Sequence, residues 1–398
     1  MLSIPKIDDP SLVEWFLPPS KSHMIRWIVM ASQSNSVTEL EFSAMPGRDI
    51  ESMAGCMEQM GVSIERGERR WTIQGKIGWM RVPNRALNCG NSATSAKIAT
   101  SIAACLGKPI CIDGDHSLRN RDFSALTSAL VELGCEITSD RLPYTVTGPL
   151  LSNRTKVDES FSSQTLTGMI LASPGFTREV EIELVGEAVS RWYRDLTIEI
   201  CRSCGWPGKY HEKMTLGPWI VETPERVKIP EEVSLLPISL LFDRLHGTKS
   251  LNQEIGEVFS PIIETMKVLD STEIGMLDLR DFSDLITPVA AIMAIGSGGE
   301  ITGVEHARGK ETDRILSTVR LLSSFGIVAR ETKQGLSIPG GQNPTHPEGS
   351  IDCESDHRLA MTAMVLATAV GGAFTGHEVC EITHPGFVEM ITAPIEDW

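Results

Sequence analysis

The sequence predicts an α/β protein of two domains, each built from three repeated units with helices inside and sheets outside. Six short polar clusters open directly into runs of small and apolar residues, at intervals of roughly 50 to 70 residues. The clusters are Ser20-Lys21-Ser22, Asn91-Ser92-Ala93-Thr94, Ser162-Ser163-Gln164, Glu232-Val233-Ser234, Ser283-Asp284 and Ser355-Asp356-His357-Arg358. Such regular spacing indicates six copies of one structural unit.

Each cluster has the residue types of a helix N-cap, where a side-chain oxygen accepts from the unpaired N–H groups of the first turn. The start of a helix also favours anions, through these N–H groups and the helix dipole. If several of these helix starts converge on one cleft, we expect its ligand to be an anion, most simply a phosphorylated one.

The second half of the unit is an amphipathic helix followed by a hairpin. Gly61, Gly134, Gly205 and Gly326 each follow an amphipathic stretch, as expected of a glycine just past a helix end. Polar and apolar residues then alternate across a turn, for example over residues 62–73, which predicts a β-hairpin.

The first helix of each unit is apolar nearly all round. Residues 98–104 and 361–370 have no polar face, so we expect these helices in the domain interior and the sheets outside them. With 398 residues the chain is also longer than one core usually supports, which favours two domains. The charged, proline-bearing stretch 222–230 is the predicted connector between them.

Composition and charge exclude several classes of protein. A net charge of −16 disfavours a nucleic-acid-binding protein, and it means that an anionic substrate needs a local basic pocket. No apolar run reaches the ~18 residues of a membrane span and no signal peptide is evident, so we expect a cytoplasmic protein. The nine cysteines form no disulfide or zinc pattern, and we interpret the close pair Cys201 and Cys204 as structural.

Three charged motifs are candidates for chemistry. Lys21 stands at a predicted helix start with Arg26 about one turn inside it, although these could be surface charges. Residues 310–314 hold four charges in five positions, and the alternative here is a solvated helical face with i,i+4 pairing. The charges of Asp356-His357-Arg358 directly precede an apolar helix, where a structural reason is hard to find.

Taken together, the motifs resemble those of the 5-enolpyruvylshikimate-3-phosphate synthase family of enolpyruvyl transferases, in order along nearly the whole chain. The matching residues are Lys21-Ser22 with Arg26, Gly90-Asn91-Ser92-Ala93-Thr94, Arg121, Ser162-Ser163-Gln164, Ser190 with Tyr193, Asp284, Lys310-Glu311-Thr312-Asp313-Arg314 and Asp356-His357-Arg358. The resemblance implies a two-domain inside-out α/β barrel. Its N-terminal domain would span 18–226, and its C-terminal domain 1–17 with 227–398.

The resemblance also implies the reaction. The family transfers the enolpyruvyl group of phosphoenolpyruvate to the 5-hydroxyl of shikimate 3-phosphate and releases phosphate, in the shikimate pathway to chorismate and the aromatic amino acids. It needs no metal and no organic cofactor. We therefore expect two small-molecule substrates, no nucleic-acid or membrane partner, and a monomer. The N-terminal domain would bind mainly shikimate 3-phosphate, and the C-terminal domain would carry the catalytic carboxylates and bind phosphoenolpyruvate.

Roles for individual residues follow from the resemblance alone. The expected shikimate 3-phosphate ligands are Ser22, Arg26, Ser162, Ser163, Gln164, Ser190, Tyr193 and Lys310. The expected phosphoenolpyruvate ligands are Lys21, Asn91, Ala93, Arg121, Gln164, Arg314, His357 and Arg358. Asp284 would act on the hydroxyl, Glu311 would give and later take the proton at the enol carbon, and Lys21 would assist.

The chain departs from the family pattern at four places. Ala93 replaces a glycine, Lys97 an arginine and Ile382 a lysine, while Glu232-Val233-Ser234 is a poor copy of an Asp-x-Ser pattern. His384 is a candidate to replace the cation that Ile382 removes.

Two other functions stay open on the sequence. One is the sister reaction on UDP-N-acetylglucosamine, which is disfavoured because residues 113–121 lack that enzyme's loop cysteine. The other is a non-catalytic relative that only binds phosphorylated ligands. The departures from the family pattern are its only support, and the presence of both Asp284 and Glu311 speaks against it.

Overall fold

The computed structural model describes residues 1–75, 80–208, 213–249, 261–269 and 275–393. The chain divides into two compact units. The N-terminal unit is Pro19–Ile229, and the C-terminal unit joins Met1–Pro18 to Pro230–Trp398. The first strand of the chain therefore belongs to the C-terminal unit.

Helices and strands alternate through both units. Up to Ile229 the elements are β1 (Leu2–Ile4), α1 (Lys21–Gln33), β2 (Val37–Glu41), α2 (Arg48–Gln59), β3 (Ser63–Arg66), β4 (Arg70–Gln74), β5 (Leu87–Asn88), α3 (Ala93–Ala103), β6 (Ile110–Asp113), α4 (His116–Arg119), α5 (Ser124–Glu132), β7 (Glu136–Ile137), β8 (Tyr144–Thr147), β9 (Arg154–Asp158), α6 (Gln164–Ala172), β10 (Val180–Val185), α7 (Arg191–Ser203), β11 (Lys213–Leu216) and β12 (Arg226–Lys228).

The rest of the C-terminal unit follows the same alternation. Its elements are α8 (Leu236–His246), α9 (Pro261–Leu269), β13 (Met276–Asp278), α10 (Ile286–Ile295), β14 (Gly298–Thr302), α11 (Arg314–Ser324), β15 (Arg330–Glu331), β16 (Leu336–Pro339), β17 (Ser350–Asp352), α12 (His357–Val370), β18 (Gly372–Thr375) and α13 (Phe387–Thr392). Short 3-10 helices cover Pro10–Leu12, Ser173–Gly175, Val233–Leu235, Ser283–Leu285, Glu305–Gly309 and His377–Ile382.

Each unit carries small sheets of three or four strands. The N-terminal unit has the strand orders β12-β2-β4-β3, β5-β6-β8-β7 and β11-β10-β9. Within its described residues, the C-terminal unit has β13-β14-β16-β15 and β1-β18-β17, where β1 runs antiparallel to β18. Residues 250–260 and 270–274, in the fourth repeated unit, lie outside the described residues.

Burial confirms helices inside and sheets outside. Every residue from Ile286 to Ala294 of α10 is buried, and so is every residue from His357 to Thr368 of α12. Along β11, by contrast, exposed and buried residues alternate, which leaves one sheet face to solvent. The hairpin predicted over residues 62–73 is confirmed, because β3 and β4 pair antiparallel.

The glycines predicted to end helices also have the expected conformation. Gly61, Gly134, Gly205 and Gly326 have φ of +94°, +92°, +95° and +71°, values that residues with a side chain rarely adopt. Among the described residues, no helix has both the length and the apolar character needed to cross a bilayer.

The predicted connector 222–230 contains the boundary between the units, but it also contains a strand. Residues 226–228 form β12, which pairs parallel with β2 in the register Val227↔Leu40, so they are an edge strand of the N-terminal unit. The charges on either side of Val227 are exposed, which makes this short strand resemble a linker in sequence. The boundary between the units therefore comes after Ile229.

Candidate functional site

The candidate functional residues form two groups, each within one unit. In the C-terminal unit the central residue is Arg314, the first residue of α11, whose side chain is fully buried. Its Nη1 donates to Asp284 Oδ1 at 2.7 Å, its Nη2 to Glu311 Oε2 at 2.6 Å and its Nε to Asp356 Oδ2 at 3.0 Å. Burial opposes the charge, but the three carboxylates outweigh it and raise the pKa of Arg314.

The three carboxylates differ in their access to solvent. The side chain of Asp284 is 28% exposed, that of Glu311 is 13% exposed and that of Asp356 is fully buried. Asp284 also lies 3.7 Å from Lys310 Nζ. Asp284 and Glu311 can therefore exchange protons with a ligand, whereas Asp356 holds Arg314 in place.

The structure rejects a helical face for residues 310–314. Lys310 follows the 3-10 helix Glu305–Gly309, and α11 begins only at Arg314. Asp313 caps α11, because its Oδ1 accepts from the backbone N–H of Leu316 at 3.1 Å. Lys310 and Arg314 are thus brought together by Asp284, which both contact, and not by helical spacing.

His306 is a residue of this group that the sequence analysis missed. Its Nε2 is buried and has no hydrogen-bond partner among the described residues. Burial and, to a smaller extent, the charge of Lys310 lower the pKa of His306 to about 4, although Asp284 partly offsets them. The ring is therefore neutral at neutral pH. The available signal was its position, four residues before Lys310.

Arg358 is held by the fourth polar cluster, and its side chain is buried. Nη1 donates to the backbone O of Ser234 at 2.7 Å, and Nη2 donates to Ser234 Oγ at 2.6 Å. Ser234 Oγ in turn donates to Glu232 Oε1 at 2.5 Å. Ser234, in the imperfect copy Glu232-Val233-Ser234, therefore orients Arg358, a predicted ligand-binding residue. Asp356 caps α12 beside buried His357, and its Oδ1 accepts from the backbone N of Arg358 at 2.9 Å.

In the N-terminal unit, Lys21 pairs with a carboxylate that the sequence analysis also missed. Lys21 Nζ lies 2.9 Å from Asp49 Oδ2, and the side chains are 21% and 8% exposed. Asp49 lies in the first turn of α2, where the helix dipole favours a carboxylate. The pair places a partly exposed ammonium group at the start of α1.

Arg26 lies deeper in the same unit. Its Nε donates to Thr197 Oγ1 at 2.8 Å, its Nη1 to the backbone O of Ser22 at 2.7 Å and its Nη2 to the backbone O of Tyr193 at 3.0 Å. Burial lowers the pKa of Arg26 to about 10, so it stays cationic at neutral pH. The arginine ties α1 to α7 and brings Ser22 and Tyr193 together.

Gln164 connects the second and third polar clusters. Its Nε2 donates to Thr94 Oγ1 at 3.0 Å, and its backbone N donates to Ser162 Oγ at 3.1 Å. Ser163 is buried at the N-cap of the same helix, α6. Ala93, the family's glycine position, is the first residue of α3.

Asn91 connects Arg121 to the second cluster. Arg121 Nη2 donates to Asn91 Oδ1 at 2.8 Å, and Asn91 Nδ2 donates to Asp115 Oδ2 at 2.8 Å. The loop expected between Asp115 and Arg121 contains the short helix α4, which Asp115 caps by accepting from the backbone N–H of Leu118.

The expected capping pattern holds at only part of the six clusters. Ser92 Oγ and Asp356 Oδ1 accept backbone N–H groups of α3 and α12. Ser20 and Ser163 stand at N-cap positions, but neither makes a side-chain cap bond within the described chain. At Glu232 and Ser283 a 3-10 helix comes first. The clusters thus begin helices more regularly than they cap them.

His384 does not replace the missing lysine. Its ring is buried, Nε2 lies 3.0 Å from the backbone O of Phe16, and the rings of Phe16 and Phe387 pack against it. Burial lowers the pKa of His384, so the imidazole is neutral at neutral pH. Nothing in the described structure identifies the residue that compensates for Ile382.

Neither the close cysteine pair nor any other group of side chains in the described part of the chain forms a metal site. Cys201 and Cys204 are buried free thiols at the end of α7. Among the described residues, no three His, Cys, Asp or Glu side chains are arranged to hold a metal ion.

Comparisons with known proteins agree on one family. The family model for EPSP synthase (3-phosphoshikimate 1-carboxyvinyltransferase) matches residues 14–228 and 249–391. The 3-phosphoshikimate 1-carboxyvinyltransferase of Methanothermobacter thermautotrophicus is 28% identical over 403 residues, covering 94% of each chain. The enzyme of the same name from Nitrosopumilus maritimus is 28% identical over 400 residues, covering 94% of this chain and 93% of that protein.

Two solved structures share the fold. EPSP synthase from Acinetobacter baumannii superposes with a TM-score of 0.71 at 21% identity, covering 96% of this chain and 95% of that one. The enolpyruvyl transferase NikO from Streptomyces tendae superposes with a TM-score of 0.71 at 13% identity, covering 98% and 95%. The fold class predicted from the sequence is confirmed.

Proposed function

The chain belongs to the EPSP synthase (3-phosphoshikimate 1-carboxyvinyltransferase) family, and from this premise we propose that it joins phosphoenolpyruvate to the 5-hydroxyl of shikimate 3-phosphate. The products are the enolpyruvyl ether and inorganic phosphate, and the reaction is a step in making aromatic amino acids. The observation that carries the proposal is the cluster around Arg314, where one buried cation holds two partly exposed carboxylates, Asp284 and Glu311.

The addition needs two proton transfers, one from the hydroxyl and one to the enol carbon, which these two carboxylates can divide. In the addition, the 5-hydroxyl oxygen attacks C2 of phosphoenolpyruvate, its proton passes to Asp284, and Glu311 delivers a proton to C3. In the elimination, the C2–O bond to phosphate breaks while Glu311 takes a proton back from the new methyl group, and the hydroxyl proton held by Asp284 leaves with the phosphate. Both carboxylates accept hydrogen bonds from Arg314, which fixes their positions before substrate arrives.

Shikimate 3-phosphate is assigned mainly to the N-terminal unit. The supporting contacts are those that gather its polar clusters: Arg26 joins the start of α1 to Tyr193 near the start of α7, and Gln164 joins α6 to α3. The proposed ligands there are Ser22, Arg26, Ser162, Ser163, Gln164, Ser190 and Tyr193, with Lys310 from the C-terminal unit. Helix starts and arginines suit a phosphate.

Phosphoenolpyruvate is assigned to cations from both units. The proposed ligands are Lys21, Asn91, Ala93, Arg121, Gln164, Arg314, His357 and Arg358. The buried hydrogen bond from Arg358 to Ser234 and the partly buried one from Arg121 to Asn91 support this assignment, because they preset the guanidinium orientations. Lys21 is proposed to assist proton transfer as well.

A phosphate-release assay tests the function. We expect phosphate to appear only when both substrates are present together, and not with either alone. Release with UDP-N-acetylglucosamine in place of shikimate 3-phosphate would instead support the sister reaction. Binding of shikimate 3-phosphate without any release would support a non-catalytic relative. The expected monomer is tested by light scattering, which should give 43.5 kDa, and the cytoplasmic location stays a prediction.

A further inference from the structure

A buried ion pair in the N-terminal unit has no part in the scheme above. Arg194 Nη1 lies 3.1 Å from Glu159 Oε1 and 3.4 Å from Oε2, and the side chains are only 7% and 3% exposed. Removing two charges from water costs so much that a buried pair is weak evidence for added stability. A pair of this kind therefore calls for another explanation.

The pair joins two segments that carry proposed ligands. Glu159 lies in the segment 158–164, here called the Ser162 segment, and Arg194 ends the segment 189–194, here called the Ser190 segment. The backbones are joined at the same point, because Val189 N donates to Glu159 O at 3.0 Å. The two segments hold five of the proposed shikimate 3-phosphate ligands: Ser162, Ser163, Gln164, Ser190 and Tyr193.

The Ser190 segment contains two unfavourable features that need support. Ser190 has φ of +55°, the left-handed region, which costs a residue with a side chain about 1–2 kcal/mol. Arg194 lies in the first turn of α7, at the positive end of the helix dipole. Glu159 supplies a negative charge at that point, so the Ser190 segment depends on the Ser162 segment for its conformation.

We propose that Glu159 and Arg194 are positioning residues that hold the Ser162 and Ser190 segments at one separation and so set the affinity for shikimate 3-phosphate. This inference rests on the proposed function, and it assigns neither residue any contact with substrate. The ion pair fixes the positions of the hydroxyl and amide groups of the two segments before the substrate binds, so binding does not have to order these groups. Its loss should therefore weaken binding of shikimate 3-phosphate selectively.

Two matched amide substitutions test the proposal on the folded enzyme. Arg194 also donates through Nε to Asp195, at 3.0 Å, but Asp195 is 59% exposed and belongs to α7 itself. Glu159→Gln should raise KM for shikimate 3-phosphate about ten- to hundredfold, the range typical of a lost charged hydrogen bond. KM for phosphoenolpyruvate should change less than threefold or so, and Asp195→Asn should leave both KM values within about twofold.

A second variant protects the test against misfolding. If Glu159→Gln does not fold, Arg194→Lys keeps the charge but loses the planar guanidinium that donates through Nη1 to Glu159 and through Nε to Asp195, and it should raise KM for shikimate 3-phosphate by a smaller factor. Calorimetric titration with shikimate 3-phosphate alone should show the same order of affinities. The proposal is overturned if folded Glu159→Gln or Arg194→Lys enzyme keeps the wild-type affinity for shikimate 3-phosphate, or if either substitution raises both KM values equally.

Phosphate release by the wild-type enzyme distinguishes a failure of the proposed function from a failure of the positioning role. If it releases no phosphate from the two substrates, the proposed function fails and the kinetic test does not apply. In that case, calorimetric binding of shikimate 3-phosphate to the three variants still decides the positioning role. If the wild type is active and the variants bind normally, only the positioning role fails.

Discussion

At the scale of single residues, the C-terminal group is organised by charge. Arg314 supplies one positive charge to three carboxylates, of which only Asp356 is fully buried. Asp356 also caps α12, so it has a structural role that Asp284 and Glu311 lack. Burial thus separates the carboxylate that supports the group from the two that can reach a ligand.

Glu311→Gln should stop turnover without abolishing substrate binding. The amide keeps the size of the side chain and can still meet Arg314 Nη2 through its oxygen, but it cannot give up or take a proton. We expect kcat to fall about 10²- to 10⁴-fold, the usual contribution of a general acid or base. Phosphate release measures kcat, and calorimetry measures binding of shikimate 3-phosphate.

An exposed glutamate, Glu331, provides the control for this experiment. Glu331 accepts a hydrogen bond from Arg308 Nη2 at the surface, 3.0 Å away, and has no proposed role. Glu331→Gln should leave kcat within about twofold, since exposed pairs contribute little. A Glu311→Gln enzyme that kept more than about a tenth of the wild-type kcat would refute the proton-transfer role.

His306 predicts a pH dependence of stability. Its pKa is about 4 in the folded protein and returns to 6.5 on unfolding, so the unfolded chain binds the extra proton between these values. Stability is therefore full above pH 6.5 and is lost as the pH falls toward 4, by an amount on the order of 1–3 kcal/mol. In urea unfolding, His306→Asn should flatten this decline between pH 7 and pH 5.

An exposed histidine serves as the comparison. His116 begins α4 and is exposed, so His116→Asn should leave the pH dependence of unfolding close to that of the wild type. If His306→Asn and the wild type lost the same free energy of unfolding over this interval, the buried imidazole would not be the titrating group.

At the scale of elements, the starts of the apolar helices are the recurring feature. Ser92 and Ser163 occupy equivalent N-cap positions in successive repeats, before α3 and α6. Only Ser92 caps its helix within the described structure, with Oγ accepting from the backbone N of Ser95 at 3.2 Å. Similar sequences at two helix starts therefore have different roles.

Replacing these two serines should separate stability from binding. Ser92→Ala removes a cap and should lower the free energy of unfolding by about 0.5–2 kcal/mol, as measured in urea. Ser163→Ala removes no cap bond and should cost less stability, while weakening shikimate 3-phosphate binding in calorimetry. Equal losses of stability in the two variants would contradict the capping difference.

Local patterns made much of the architecture predictable. The hairpins, the glycines after helices and the buried helices each depend on residues close in sequence, such as Gly61 and the strands that follow it. The strand β12 was missed because it pairs with β2, nearly 190 residues earlier, and nothing near Val227 indicates that partner.

The site was predictable in its motifs but not in its supports. Lys21, Asp284 and Arg314 belong to recognisable motifs, whereas Asp49 and His306 lie outside them and are identified only by the charged residues near them in the structure. A long-range partner leaves no periodic signal in one sequence. Residue type alone is also misleading: the sequence makes His384 a candidate cation, but in the structure its ring is buried against Phe16.

At the scale of the whole molecule, the proposed ligands are distributed unequally. Seven of the eight assigned to shikimate 3-phosphate belong to the N-terminal unit, whereas Asp284 and Glu311 belong to the C-terminal unit. Within a chain of net charge −16, an anionic ligand depends on the cations gathered locally. The two units should therefore respond differently to the first substrate.

Hydrogen exchange should show this difference directly. A ligand that binds the folded state raises its stability by about 2.7 kcal/mol at a concentration of 100 Kd, and exchange slows most where the contacts form. With shikimate 3-phosphate alone, we expect the strongest protection at the starts of α1, α6 and α7, and less in α10 and α12. Inorganic phosphate at the same concentration is the control, since it lacks the ring that the serines and Tyr193 are proposed to contact. Protection confined to the C-terminal unit, or equal protection by inorganic phosphate, would contradict the assignment of this substrate to the N-terminal unit.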